Sequence, residues 1–190
     1  MKINLYDFDK TIYKGDSSTD FFFFALSKYP KIIKVVPKII VSAIKYKLKL
    51  ITKTEMKETI FSFLQYVDDL DSLLWSFWSS HEIYIKDFFV DNENHENDII
   101  LTASPEFLLE RMLGMFGVKE TIGSRVDPKT GRFTGENCYG EEKVRRLNEK
   151  YKNYKVMEAY SDSLSDLPML KLAKKSFIVK KYKITEKHFK

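Results

Sequence analysis

The chain carries 190 residues, 44% of them apolar and 31% charged, with a formal net charge of +5. That composition excludes a disordered or collagen-like chain and suits one domain with a sizeable insertion. The distribution of charge is more informative than its sum. Between Asp20 and Glu55 no acidic residue occurs, whereas lysines stand at 28, 31, 34, 38, 45, 47, 49 and 53. Such a field favours anionic partners (phosphate, acidic lipid headgroups or nucleic acid) and does not choose among them. The single cysteine, Cys138, leaves no intrachain disulfide and suits a reducing compartment. Met1-Lys2 runs straight into Ile3-Asn4-Leu5-Tyr6, Asp7 and Asp9 interrupt any secretory h-region, and no stretch of about 18 uncharged apolar residues occurs. The expected location is cytoplasmic.

Lys2 to Asp7 is short and β-prone and predicts a buried strand. From Ser17 to Glu96 apolar residues recur at helical spacing, as in Leu73, Leu74, Phe77 and Trp78, and Pro30 and Pro37 are expected to break the stretch into separate helices. The polar run from Asp91 to Asn97 reads as a surface linker. His81, His95 and His188 show no ligand spacing and are assigned to the surface. The pattern then alternates: strand Asp98 to Thr102, helix Pro105 to Phe116, strand Thr121 to Val126, a turn at Lys129-Thr130-Gly131-Arg132, and helix Glu141 to Tyr151. Strand Lys155 to Tyr160, helix Ser165 to Lys174 and strand Ser176 to Val179 complete it. Alternation of this kind implies an α/β fold with a mostly parallel sheet, the helical stretch being inserted after the first strand.

Four motifs fall at strand ends or helix starts. Asp7-Phe8-Asp9-Lys10-Thr11 follows the first strand, and alternation along extended backbone turns Asp7 and Asp9 to the same side. Two carboxylates so close call for a cation or a proton; Mg²⁺ relieves the repulsion, one carboxylate attacks phosphorus and the other serves as acid. In Thr102-Ala103-Ser104-Pro105, Ser104 is the expected N-cap and Pro105 the first helical residue, so free amides would form an anion site beside Thr102. Lys143 opposes the dipole at a helix start and would offer positive charge to a phosphoryl group. In Ser161-Asp162-Ser163-Leu164-Ser165-Asp166, Asp162 is placed to complete a metal site with Asp7, and Asp166, at the next helix start, to be either a direct ligand or a support behind it. Each motif alone also reads as an acidic loop, a capped helix, a surface lysine or a turn; together they supply the parts of a phosphoryl-transfer site.

In this order the motifs resemble the haloacid dehalogenase (HAD) superfamily, and most closely its phosphoserine-phosphatase-like subfamily IB hydrolases. The resemblance implies a Rossmann-like core over 1–16 and 97–190, with residues 17–96 inserted as a helical type-one cap. It also implies a Mg²⁺-dependent phosphomonoester phosphatase, with Asp7 as nucleophile and metal ligand. Asp9 would be general acid/base and bind the metal through its carbonyl. Thr102, Lys143 and the Ala103 amide would hold phosphate, Asp162 would ligate the metal, and Asp166 would support that site. Asp16 falls where these enzymes meet a substrate amine. The cap arginine that clamps a substrate carboxylate is missing, since no arginine precedes Arg111. A small phosphorylated substrate is therefore expected, its identity open. A lipid phosphate at a membrane surface, phosphoryl transfer to another alcohol and an idle phosphate-binding module stand as alternatives. No motif supports nucleic-acid binding.

Overall fold

A computed structural model describes residues 1–118 and 120–189. Strand β1 (Lys2–Tyr6) is followed by the helices α1 (Ser17–Lys28), α2 (Val36–Lys47), α3 (Lys53–Phe61), α4 (Leu70–His81) and α5 (Asp87–Val90), with short 3₁₀ turns between several of them. Then come β2 (Asp98–Pro105), α6 (Glu106–Met115), β3 (Glu120–Ser124), α7 (Glu141–Lys150), β4 (Lys155–Ser161), α8 (Leu167–Leu170), β5 (Ala173–Lys180) and β6 (Lys183–Lys187). The six strands form one sheet in the order β3-β2-β1-β4-β5-β6, parallel except for β6, which returns antiparallel on β5. Tyr6, Tyr160 and Phe177 are partners in register across β1, β4 and β5 and stack face to face, fixing that register by aromatic contact.

Alternation along β1 divides the core between the two sheet faces. Ile3 and Leu5 join Ile99, Leu101, Leu147, Ala159 and Met169 on one face. Tyr6 belongs to the other face, where Phe21, Phe63, Phe77 and Trp78 of the helical segment pack with Leu108, Leu109 and Met112 of α6. The helices after β1 thus share a core with the sheet. Gly131 explains one close approach: at φ 76° it lies against the end of α3, and an added Cβ would sit 2.2 Å from the Phe61 carbonyl oxygen.

Pro30 and Pro37 separate the helices as expected: Pro30 opens the 3₁₀ turn after α1, and Pro37 occupies the first turn of α2, where its missing N–H costs nothing. Other expectations are corrected. Strand β2 runs on to Pro105, which is itself the N-cap of α6, so Ser104 caps nothing. The helix expected at Ser165 to Lys174 is a 3₁₀ turn and four α-helical residues, because β5 already starts at Ala173. Strand β6, rich in lysine and glutamate, carries too little apolar alternation to be read from sequence. His95 is buried, not on the surface. Its Nδ1 lies 2.8 Å from Asp98 and its Nε2 3.0 Å from the Phe89 carbonyl.

Candidate active site

Strand order places β1 between β2 and β4, and the loops leaving these three strands diverge at their carboxyl ends. Open α/β sheets bind ligands at such a switch point. A cleft of about 430 Å³ opens there, lined among others by Asp7, Asp9, Asp16, Lys143, Asp162 and Asp166.

Asp7 directly follows β1, and its amide donates to the Tyr160 carbonyl on β4 at 2.9 Å. Its carboxylate is occupied on both oxygens: Lys143 Nζ donates to Oδ1 at 2.7 Å and Thr11 Oγ1 to Oδ2 at 3.1 Å. Burial pushes the Asp7 pKa up to about 7, against the pull of Lys143. Lys143 Nζ also donates to Asp166 Oδ2 at 2.8 Å, and that oxygen accepts from Ser161 Oγ as well. Burial disfavours the Lys143 charge, but Asp7 and Asp166 outweigh it and hold the ammonium firmly protonated. Two structural devices aim this lysine. Gly140 turns the chain at φ 59° into α7. Buried Arg146, braced by Glu142 one turn earlier in the same helix, ties that helix to the carbonyls of Gly123 and Glu136.

Asp9 is fixed differently. Oδ1 accepts from the Ser17 amide at 2.7 Å and Oδ2 from Ser104 Oγ at 2.5 Å. Burial raises its pKa, with the Asp16 charge adding to the rise, while the Ser104 and Ser17 hydrogen bonds oppose it. Such a carboxyl favours its protonated form more than a solvent-exposed aspartate does, as an acid requires. Lys10 follows at φ 62°, a left-handed conformation that is costly for a side chain with a Cβ. Its carbonyl is held by the ammonium of buried Lys86, which reaches back from the end of the helical segment.

The other expected residues fall around this centre. Asp162 is partly buried in the cleft, its amide bonded to Thr11 Oγ1 at 2.8 Å and its pKa raised by burial. Asp16 lines the cleft but spends Oδ1 on the Thr19 amide as N-cap of α1. Ala103 lines the cleft. Thr102 is 1% exposed and not among the cleft-lining residues; its Oγ1 accepts from the Ser104 amide at 3.0 Å. With β2 extended to Pro105, Thr102 lies further back along the strand than a strand ending at 102 would put it.

Three contributors were not singled out from sequence. Ser104 was read as a cap, and only the fold brings it to Asp9. Lys86 had no motif. Lys57 of α3 donates from Nζ to the Ala103 carbonyl at 2.7 Å and lines the cleft with Lys53, Met56 and Ile60. The signal for Lys57 was present, since Lys53, Met56, Lys57 and Ile60 share one helical face. Burial, with the Lys53 charge, brings the Lys57 pKa down to about 8. Lys53 Nζ lies 3.8 Å from the ring centroid of Tyr139, a cation–π contact at the cleft.

Among the described residues, no three His, Cys, Asp or Glu side chains converge closely enough to hold a metal by themselves. The donors nevertheless fit Mg²⁺. The ion takes hard oxygen ligands and keeps several waters, binding through one or two carboxylates plus substrate phosphate. Asp7, Asp162 and Asp166 supply such oxygens, and Asp166 Oδ1 is buried with no hydrogen-bond partner among the described residues.

The family model of haloacid dehalogenase-like hydrolases matches residues 5–171, and the chain belongs to that family. A histidinol-phosphatase of Neisseria meningitidis serogroup C (strain 8013) is 28% identical over 89 residues, 40% of this chain and 40% of that protein. A probable phosphatase of Mycobacterium tuberculosis (strain ATCC 25618 / H37Rv) is 33% identical over 79 residues, 38% of this chain and 28% of that protein. The matches thus span two-fifths or less of these curated relatives. Among solved structures, a protein of unknown function from Bordetella pertussis Tohama I superposes with a TM-score of 0.71 at 19% identity, over 92% of this chain and 88% of that one. A probable phosphoserine phosphatase from Vibrio cholerae superposes with a TM-score of 0.66 at 15% identity, over 92% and 55%. At these identities the structures establish a shared fold.

Proposed function

We propose that this chain is a Mg²⁺-dependent phosphomonoester phosphatase acting through an aspartyl-phosphate on Asp7. The observation that carries the reading is the buried Lys143 ammonium shared between Asp7 and Asp166 at the open end of β1. A lysine used only for helix stability would not be drawn from the first turn of α7 into a carboxylate cluster. Phosphatase relatives and the family match support the same chemistry.

In the first half-reaction an Asp7 carboxylate oxygen attacks phosphorus and the ester P–O bond breaks. Asp9 gives its proton to the departing alkoxide, so the alcohol leaves neutral. In the second, a water attacks the phosphorus of the aspartyl-phosphate, Asp9 takes the water proton, and inorganic phosphate leaves with Asp7 regenerated. Lys143 offsets the charge gathered on the phosphoryl oxygens. Asp7, Asp162 and the Asp9 carbonyl would hold the metal, with Asp166 in support. Bound there, Mg²⁺ would neutralise phosphate oxygens. The Ala103 amide would donate to phosphate. Thr102 would act through the Ser104 amide that its hydroxyl holds.

Residues 17–96 would serve as the cap. In place of an arginine clamp the cleft carries Lys53 and Lys57, with Tyr139, Met56, Ile60 and Phe61 beside them. This combination suits a phosphate ester whose leaving group has apolar bulk and a second anionic or carbonyl group, a description that includes lipid phosphates. Asp16 retains one carboxylate oxygen for a substrate amine or hydroxyl. The test is hydrolysis of an aryl phosphate with and without Mg²⁺ by wild type and Asp7→Asn. Metal-dependent turnover that the substitution abolishes is expected; equal turnover by both proteins removes Asp7 from the nucleophile's role.

A further inference from the structure

Helix α2 has two apolar sides. Val35 just before it, with Ile39 and Ser42, turns inward and is buried or half-buried. On the opposite side Pro37, Ile40, Val41, Ile44 and Leu48 recur at i, i+3, i+4, i+7 and i+11, so they form one stripe along the axis. The stripe faces solvent: Ile40 and Ile44 are each 55% exposed and Leu48 63%. Leu50, 68% exposed, continues it beyond the helix, where Lys49 turns the chain at φ 57°. Aliphatic side chains in line and uncovered differ from the scattered apolar residues of an ordinary surface.

The charges beside the stripe choose its occupant. By helical spacing Lys38 and Lys45 lie along one flank and Lys47 along the other, all exposed, and no acidic residue stands between Asp20 and Glu55. A second copy packed through the same face would set these lysines against their own equivalents; Glu55 of α3, which shares a groove with Lys38 and Lys45, sets one carboxylate against three lysines and is already held by Thr52 as its capping partner. An anionic bilayer meets both requirements at once. The stripe enters the boundary between headgroups and acyl chains, and the lysine stems extend along it to place their ammonium groups on lipid phosphates.

We propose that α2 is an interfacial helix that docks this protein on anionic membrane surfaces, lying in the plane of the headgroups without crossing them. No helix among the described residues is long and apolar enough to span a bilayer, consistent with this mode. Because α2 packs on α3, which carries Lys53, Met56 and Lys57 of the cleft, docking would hold the cleft one helix away from the lipid. The inference does not depend on the catalytic reading, and its readout is binding.

The test is co-sedimentation of the full chain with vesicles of phosphatidylcholine mixed with phosphatidylglycerol, and of phosphatidylcholine alone, at low and high salt. Ile40→Ser/Ile44→Ser interrupts the stripe and Lys38→Gln/Lys45→Gln/Lys47→Gln removes the flanking charge; all five changes lie on exposed positions, and circular dichroism verifies folding. Wild type should bind the mixed vesicles at low salt, with affinity falling roughly tenfold or more in each variant, at high salt, and on neutral vesicles. Absence of binding to mixed vesicles at low salt overturns the proposal, as does binding that neither variant weakens. Equal binding to neutral vesicles overturns the role of the lysines. A dimer of wild type that Ile40→Ser/Ile44→Ser dissociates in sedimentation velocity would assign the stripe to a second copy instead.

Discussion

Ser104 Oγ donates to Asp9 Oδ2 at 2.5 Å, joining the end of β2 to the loop after β1 across 95 positions of sequence. The hydroxyl stabilises the Asp9 carboxylate against a burial that favours its protonated form. Removing the hydroxyl should raise the Asp9 pKa further. Ser104→Ala is expected to lower kcat about tenfold through loss of orientation. The alkaline limb of kcat/KM should move to higher pH, because Asp9 keeps to higher pH the proton that the proposed mechanism has it donate. A limb that stays in place or moves to lower pH would detach Asp9 from the acid's role.

Lys143 neutralises two buried carboxylates, and removing it leaves both facing each other. Lys143→Met should cost about 3–5 kcal/mol of stability in urea unfolding and abolish aryl phosphate hydrolysis. Adding Asp166→Asn removes one of the stranded charges, so the double variant should regain part of the stability and none of the activity. Recovery of turnover along with stability would mean that Lys143 acts only on folding.

Lys57 offers a pH signature. Its pKa of about 8 lies below the ordinary lysine value of 10.5, with burial as the main cause. Between those values the unfolded chain binds more protons than the folded one, so this group makes stability rise with pH across the window. Lys57→Met should lose that rise in urea midpoints measured from pH 7 to 10. If the ammonium meets the leaving group of the substrate, wild-type KM for an anionic phosphate ester should increase above pH 8. The variant should show a high KM throughout, with kcat little changed; matching KM profiles for the two proteins would exclude the contact.

Both ring nitrogens of His95 face acceptors, the Asp98 carboxylate and the Phe89 carbonyl, and the ring stacks on Phe89 at 4.1 Å between centroids. Asp98 in turn accepts from the Asn4 side chain on β1. His95→Ala should therefore destabilise the fold by about 3 kcal/mol and leave kcat within roughly twofold, since none of Asn4, Phe89, His95 and Asp98 lines the cleft. Unfolding by guanidinium chloride and steady-state turnover check the two halves.

The sheet's parallel strands and most of the residues around its centre follow from local sequence. An apolar run ending in Asp7, and another ending at Ser161-Asp162, place carboxylates at strand ends because side-chain alternation and strand length are local properties. Lys143 could be suspected for the same reason, from its unfavourable place at a helix start. Boundaries were less accessible. Pro105 ends β2 instead of opening a helix because pairing with Ser124 on β3 decides how far the strand runs. Strand β6, charged at three of its five positions, exists because β5 offers it an edge.

What sequence by itself determined here is the set of candidate reacting groups and the family they resemble, since each motif is contiguous and carries its chemistry in its residue types. Tertiary structure alone decided the partners: Ser104 for Asp9, Lys86 for the Lys10 carbonyl, Lys57 at the Ala103 carbonyl, and His95 in the interior. These contacts join residues on separate elements, and a hydroxyl or ammonium has no local signature of where folding will bring it. The same holds for α2: apolar spacing predicts a helix, but only packing shows which of its two apolar sides is left facing solvent.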